Sequence, residues 1–353
     1  MRPRSLFVFE YLTGGGAAQD GVADPALWAM GRAMRDALAS DAAALPGWQV
    51  TVATAPWPVC SPAAGGPAAT SAQPQNAPVP AGCQPSTAAR GETVADHVAR
   101  QAARHSATVL IAPETGGLLA TLQNQVPAAR WCGCSPAAIA LASRKAATLA
   151  WLHRHGVATP LALATQARHW VVKPDDGAGA LDTQRFAEHG QAQAAWQQRH
   201  HDHSPMTLEP WVDGEAGSLS VLSGANGPAR LLALNHQQVD LDGDGRLAYG
   251  GVRPLATRAD HPRWAAAAAL VQQVAACVPG LRGFWGLDVV WHAQAGAVVI
   301  ELNPRLTCAY VGLSARCGHN LAEPLLASLG GAGAQRPPLI ASAGSPSEAS
   351  THG

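Results

Sequence analysis

Asp288, Glu301 and Asn303 lie in the run GLDVVWHAQAGAVVIELNPR, at a spacing that lets them share one chemical task. The segments GLDVVWH and AVVIELN read as two short strands, and AQAG between them reads as the turn of a hairpin. With the turn centred between Gln294 and Ala295, Asp288 stands directly opposite Glu301. Asn303, two residues on, points to the same face because strand side chains alternate. The other face carries Leu287, Val289, Trp291, Val298, Ile300 and Leu302, all apolar and able to sit on a core. On the acidic face the side chains come within about 5 Å of one another. Like charges directly opposite destabilise a strand pair unless something neutralises them. A hard divalent cation does so, and an oxygen-only donor set with open positions suits Mg²⁺ carrying substrate phosphates. The bland alternative is a solvated polar face with the acids there for solubility.

Further polar residues cluster upstream. Lys173 ends an apolar strand, HWVVK, where a lysine is costly to bury without an anionic partner. The loop after it, Asp175-Asp176-Gly177-Ala178-Gly179-Ala180, can turn backbone N–H groups toward a phosphate, although a plain glycine turn reads equally well. Lys145, in SRKAATL, reads on its own as an exposed helical lysine. Glu209-Pro210-Trp211-Val212-Asp213-Gly214-Glu215 sets acids at both ends of a short apolar segment. Pro210 cannot donate a ladder bond, which points to an edge or a hinge. A hinge of this kind offers a carbonyl and an N–H to a planar base; a strand entering a turn is the alternative.

Other constellations carry less. Asp240, Asp242 and Asp244 with Gly245 imitate the start of a calcium loop, but the twelfth position is Gly251 rather than Glu, so a hairpin turn is expected. Cys132-Gly133-Cys134 is half of a zinc pattern without a second half. His200, His201 and His203 read as a solvated helix end. No G-x-S-x-G, H-E-x-x-H or G-x-x-x-x-G-K-[ST] run occurs, so hydrolase triads and P-loop chemistry have no support.

These residues need elements to hold them. SLFVFE (5–10) reads as a strand and 25–44 as a helix, opened by Asp24 as N-cap and Pro25 at the first position. WQVTVAT (48–54) is a second strand. Residues 56–91, rich in Pro, Ala, Gly and Ser, have no apolar period and read as a disordered or loosely packed insertion. A helix over 93–105, a strand over 107–113 and a helix over 117–125 follow, the alternation of a parallel sheet flanked by helices. Ser135-Pro136 opens one helix running to Gly156. Then come a strand at 169–174, a helix at 183–199 and a strand at 206–212. A long antiparallel region begins at Ser218, and a helix over 262–276 precedes the acidic hairpin. Domains are expected at 1–135 and 136–330, with a disordered tail over 331–353.

At 353 residues and 47% hydrophobic content the chain can bury a sizeable core. The 24 basic and 24 acidic residues balance, and no basic run marks a nucleic-acid surface. No apolar stretch is long enough to span a membrane, and the N-terminus reads as a strand running into a glycine-rich loop rather than a signal peptide. The seven cysteines are odd in number and scattered, so reduced packing roles in a cytoplasmic protein are expected. Lysine is very rare, which makes each one informative.

The order of the pieces resembles the ATP-grasp superfamily: a lysine in a helix, a lysine ending a strand, a glycine loop, an E-x-W-V hinge, then D–x12–E-x-N. The likeness spans about residues 135–328. DVVWHAQAGAVVIELNPRLT is its specific part, and ASRKAATLAWLHRHGVATP is similar to the helix that opens the family's ATP-binding region. FEYLTGGG (9–16) with ELNPRLT resembles a narrower group, the tyramine–glutamate ligase-like proteins of methanofuran biosynthesis and relatives linked to methanopterin-type one-carbon cofactors.

The resemblance implies an α/β ATP-grasp fold, a parallel-sheet pre-ATP-grasp domain followed by two α+β subdomains that clamp ATP. It implies that Lys145 and Lys173 contact ATP phosphates and that the Gly177–Gly179 loop closes over them. Glu209, Pro210, Trp211 and Val212 would frame the adenine edge, and Glu215 the ribose. Asp288, Glu301 and Asn303 would hold Mg²⁺, or Mn²⁺ in its place, and Arg305 would stand near the transferring phosphoryl group. The Lys145–Lys173 spacing is short, so an abbreviated small subdomain is expected, and Ala180 stands where a hydroxyl residue often helps the loop.

The implied activity is a carboxylate–amine ligase acting on small molecules, joining glutamate to an aromatic amine or related precursor. An ATP-grasp ligase of another pathway and an ATP-binding protein without turnover are the alternatives. Arg253 or Arg316 would meet the substrate carboxylate and Tyr249 or Tyr310 an aromatic amine. The FEYLTGGG loop either closes the substrate pocket or is a tight strand-to-helix turn. The sequence is silent on oligomeric state.

Overall fold

The computed structural model describes residues 4–17, 24–55, 78–177, 179–202, 205–224, 227–327 and 329. Strand β1 (Arg4–Glu10) is buried on both faces from Leu6 onward, as its unbroken apolar run requires of a central parallel strand. It pairs in parallel with β2 (Trp48–Ala53) on one side and β4 (Ala107–Ile111) on the other. Strand β3 (Cys83–Ser86) adds beyond β2 and gives the order β3-β2-β1-β4. β3 lies inside the stretch expected to be loosely packed; its residues 78–91 are ordered, with Arg35 donating to the Pro78 carbonyl at 2.7 Å. Short length and the absence of alternation hid it. Residues 56–77 and 331–353, also expected to be disordered, fall outside the described residues. Helix α1 (Pro25–Ala43) starts as the sequence predicts, with Asp24 accepting from Ala26 and Leu27 N–H. Helix α2 (Val94–Ala102) opens on a reciprocal Thr93–Asp96 capping box, and α3 (Leu118–Gln123) follows β4.

The single helix expected over 135–155 is two. α4 (Pro136–Ala142) ends at Ser143, Arg144 is extended at φ −130°, ψ 100°, and α5 (Lys145–Arg154) restarts. A three-stranded antiparallel sheet, order β6-β5-β7, follows. It comprises β5 (Trp170–Pro174), β6 (Gln184–Phe186) and β7 (Met206–Pro210). The first residues of the helix predicted at 183–199 form β6, and helix α6 (His189–Asp202) begins later. β7 is an edge strand, as Pro210 requires.

The large antiparallel sheet has the order β10-β9-β8-β11-β12. Its strands are β8 (Glu215–Ser223), β9 (Ala229–Leu241), β10 (Leu247–Ala256), β11 (Gly283–His292) and β12 (Gly296–Asn303). Helix α7 (Trp264–Cys277) packs against β9. The aspartate-rich segment is the β9–β10 turn, in which Asp242 Oδ1 accepts from Asp244 and Arg246 N–H at 2.9 and 2.8 Å.

The acidic hairpin has the predicted pairing at its working end and a shifted one at its tip. Asp288 faces Glu301 and Gly286 faces Asn303, but Val289 faces Val299 and His292 faces Gly296. A bulge at Ile300 absorbs the extra residue, and Gly296 takes φ +71°, the conformation a three-residue hairpin turn needs. The bulge moves Ile300 off the core face on which it was expected and into the cleft described below. One core cluster runs from Phe7 and Phe9 through Leu149 to Trp285 and Leu302, so the parallel sheet and the large antiparallel sheet share buried surface. The three-stranded sheet has a small cluster of its own around Val172, Ala192 and Met206. Among the described residues no helix is long and apolar enough to cross a membrane.

Candidate active site

The break before α5 creates the first part of the site. Asp175, in the loop after β5, caps α5 from outside. Its backbone carbonyl accepts Lys145 N–H at 2.8 Å and its Oδ1 accepts Ala146 N–H at 2.8 Å. Its other oxygen meets Arg144 Nε at 3.2 Å. A carboxylate at a helix N-terminus satisfies N–H groups that have no intrahelical partner. Lys145 thereby sits at the first helical position instead of mid-helix, and it is buried rather than exposed. Its Nζ donates to the Gly177 carbonyl and lies 3.0 Å from Glu301 Oε1.

Lys173, the only other lysine in the chain, is buried at the end of β5 and pairs with Glu209 Oε2 across the β5–β7 ladder at 2.9 Å. Glu209 also accepts from Thr207 Oγ1 at 3.0 Å. Pro210, Trp211 and Val212 continue from Glu209 along the cleft edge. Glu215 opens β8 and bonds Arg263 at 2.8 Å and His236 at 3.3 Å; Arg263 foremost holds its carboxyl below the usual range.

The late hairpin supplies the acids. Asp288 Oδ1 accepts from Gln237 Nε2 at 2.9 Å, and Oδ2 accepts from Asn303 Nδ2 at 3.2 Å. Burial first, and the neighbouring Glu301 second, push Asp288 up to about 7. An acid so reluctant to ionise beside a second acid marks a place where a divalent cation is favourable. Among the described residues no three His, Cys, Asp or Glu side chains converge on a metal; beside the two carboxylates stands the Asn303 amide, whose oxygen would be the third donor. Two carboxylates and an amide fit a cation completed by phosphate oxygens. Arg305, just beyond β12, is held by Glu114 from the first domain, with Nε and Nη2 each 2.9 Å from a carboxylate oxygen.

These elements surround one cleft of about 1590 Å³. Lys145, Lys173, Gly177, Gly179, Glu209, Pro210, Trp211, Val212, Glu215, Asp288, Glu301, Asn303 and Arg305 all line it. So do Tyr249 and Arg253 from β10, and Glu10, Tyr11 and Leu12 at the end of β1. The two other substrate candidates lie elsewhere. Tyr310 is a core residue that donates to Asp41 at 2.8 Å, and Arg316 donates to the Val311 and Ala309 carbonyls at 3.0 and 3.2 Å. The FEYLTGGG segment is a self-bonded turn whose buried Glu10 accepts from Leu12 N–H, Thr13 N–H and Thr13 Oγ1. Cys132 and Cys134 are buried and point to the carbonyls of Leu325 and Arg282, so they do not converge on zinc. His200 accepts from Met206 N–H; His203 is outside the described residues.

Sequence reading missed Glu114, Thr115 and Gln237. The first two follow the carboxyl end of a parallel strand, the edge at which open α/β sheets place ligands, and that signal was available. Gln237 had none, because its meeting with Asp288 depends on the order in which the antiparallel strands stack.

Comparison with known proteins agrees with this fold. A family profile described as ATP-grasp domain matches residues 142–309, and one described as pre ATP-grasp 3 domain matches 70–139. An ATP-grasp superfamily protein from Archaeoglobus fulgidus superposes with a TM-score of 0.61 at 21% identity, covering 92% of this chain and 88% of that one. An L-amino acid ligase from Bacillus licheniformis gives 0.58 at 14% identity, covering 93% and 74%. A D-alanine–D-alanine ligase from Bacillus anthracis gives 0.58 at 12% identity, covering 92% and 97%. None of the curated proteins matches the sequence.

Proposed function

Because the chain carries a pre-ATP-grasp domain followed by an ATP-grasp domain, we propose that it is an ATP-dependent carboxylate–amine ligase that releases ADP. In this reading residues 1–135 are the pre-ATP-grasp part and 136–330 the ATP-grasp part. The observation that carries it is convergence: the only two lysines, the acids Asp288 and Glu301 with Asn303, and Arg305 are brought together from distant parts of the chain and line one cleft.

The chemistry follows from charge. A carboxylate is a poor electrophile. Transfer of the γ-phosphoryl group to a carboxylate oxygen breaks the bond to ADP and makes an acyl phosphate. The amine nitrogen then forms a bond to the acyl carbon, the carbon–oxygen bond to phosphate breaks, and the nitrogen loses a proton. Phosphoryl transfer asks the protein for positioning and charge neutralisation rather than a covalent partner. Lys145 and Lys173 present buried ammonium groups to the phosphates, each now balanced by a glutamate that the nucleotide would replace as partner. Arg305 adds a guanidinium on the first-domain side. The Pro210–Val212 edge offers backbone groups to adenine. Mg²⁺ held by Asp288, Glu301 and the Asn303 amide oxygen would neutralise phosphate charge.

The narrower substrate reading joins glutamate to an aromatic amine in the synthesis of a methanofuran- or methanopterin-type cofactor. The likeness of FEYLTGGG and ELNPRLT to that group supports it, as does the presence of Arg253 for a carboxylate and Tyr249 for a ring in the cleft. ADP release, screened with Mg²⁺ over amino acids against aromatic amines and one-carbon cofactor precursors, tests it, with Asp288→Ala as control. ADP that requires both an acid and an amine supports ligation. Nucleotide binding without ADP from any pair would end it.

A further inference from the structure

The turn after β4 touches two parts of the cleft at once. Glu114 grips Nε and Nη2 of Arg305 as a fork, with the two side chains only 5% and 13% exposed. Nη1 is left outside that grip, 3.5 Å from the Leu306 carbonyl. The next residue, Thr115, donates its hydroxyl to the Asp176 carbonyl at 3.1 Å. Gly116 N–H then donates to Asp176 Oδ2 at 2.8 Å. Asp176 stands between Asp175, which caps α5, and Gly177, whose carbonyl takes Lys145. Three consecutive residues of the first domain therefore hold the arginine beyond β12 and the loop beyond β5.

We propose that Glu114, Thr115 and Gly116 are positioning residues: Glu114 fixes the plane of Arg305, and Thr115 with Gly116 fixes the Asp175–Gly177 loop, so that both face the same phosphoryl group. A two-point carboxylate–guanidinium bond sets orientation as well as distance, which a single contact does not. With Nε and Nη2 engaged, Nη1 is the nitrogen outside the Glu114 fork, and Arg305 lines the cleft. Glu114 itself touches no substrate in this arrangement. The identity of the phosphoryl group rests on the ligase reading; the coupling between the turn, the loop and the arginine does not.

The experiment compares the full-length protein with Glu114→Gln, Glu114→Asp and Thr115→Val. It measures kcat and KM for ATP, calorimetric affinity for ADP with Mg²⁺, thermal midpoints, and hydrogen exchange over 113–118 with and without ADP and Mg²⁺. Glu114→Gln is expected to lower kcat by about tenfold to a hundredfold, the scale of a displaced catalytic group. Its affinity for ADP with Mg²⁺ should stay within about threefold, because the interaction lost belongs to the transition state. Glu114→Asp should recover part of kcat. Thr115→Val should raise KM for ATP and lower kcat by about threefold to tenfold, because the loop it holds faces the same phosphoryl group, and a variant with both parameters unchanged overturns the role of the loop. In the wild type, nucleotide should slow exchange over 113–118. If Glu114→Gln leaves kcat unchanged, or loses turnover only in step with its thermal midpoint and nucleotide affinity, the pair merely joins domains and the proposal fails. Exchange over 113–118 that ignores nucleotide overturns it as well. If no acid–amine pair yields ADP in the wild type, the ligase reading falls, and the exchange result alone decides the coupling.

Discussion

Lys145 Nζ lies 3.0 Å from Glu301 Oε1, which ties the start of α5 to the acidic end of the late hairpin. The lysine pairs with one of two facing acids. Without it, Glu301 confronts Asp288 across the ladder with Arg305 as the charged neighbour left to offset the repulsion.

Lys145→Met should therefore lower stability and function together. Removing one partner of a largely buried pair leaves the other charge uncompensated, at a cost of about 1–3 kcal/mol here because Glu301 keeps some access to water. Urea unfolding with and without Mg²⁺ measures it. Mg²⁺ should restore more stability to the variant than to the wild type, since it supplies the missing positive charge. An equal Mg²⁺ effect in both would break the link between the lysine and a cation site.

Lys173 and Glu209 form a tighter pair, 2.9 Å apart with both side chains below a tenth exposed. Lys173→Met strands the glutamate and should cost about 3–5 kcal/mol. The double variant Lys173→Met with Glu209→Gln removes both charges and should recover much of that loss. Nucleotide affinity should not recover if, as proposed, Lys173 meets the phosphates, because that contact is gone in both. A double variant that binds ADP like the wild type would make the lysine purely structural.

The grouping of Asp288, Glu301 and Asn303 was legible because the face of a hairpin residue follows from local alternation. The turn was legible too, within one residue, and the bulge at Ile300 cancelled that error where the acids sit. The Lys145 setting was not legible. Nothing local breaks SPAAIALASRKAATL, and the break depends on Asp175 arriving from thirty residues away to cap the second half. β3 was hidden for a similar reason: a four-residue strand containing Pro85 has little pattern of its own and exists because β2 offers it an edge. The four residues considered for substrate contact separate two and two. Arg253 and Tyr249 sit on a strand facing the cleft, whereas Arg316 and Tyr310 lie in a segment folded against backbone and helix α1. Glycine-rich surroundings could not tell these apart.

The first domain carries a pH-sensitive contact. Glu92 accepts from Arg100 Nε and Nη2 at 2.6 and 2.8 Å and from Ala89 N–H at 2.7 Å. The Arg100 bonds foremost hold its carboxyl down to about 2. A carboxyl lowered in the folded state stabilises above its unfolded value and loses that contribution as pH falls through the folded one. The window thus runs from about 4.5 down to about 2. Solvent screening limits the contribution to about 1 kcal/mol. Thermal midpoints of the wild type and Glu92→Gln should differ at pH 7 and converge toward pH 2. A gap that is constant across that window would rule the pair out as its source.

Gly214 sits where the hinge after β7 turns back into β8. Its φ is +153°, and a Cβ there would stand 2.4 Å from the Trp291 carbonyl oxygen and 2.8 Å from Val290 Cγ1. The first obstacle is backbone of β11, which pairs Trp291 with Glu215, so it cannot swing aside as a side chain would. Gly214→Ala must instead displace the hinge, at a cost of about 1–3 kcal/mol for the strained backbone and overpacking. The displaced residues include Trp211 and Val212, which edge the cleft. ADP affinity should fall by about tenfold if that edge frames adenine, while inorganic triphosphate, which has no base, should bind as before. Competition calorimetry with the two ligands separates the outcomes. Equal losses for both would move the base away from the Pro210–Val212 edge.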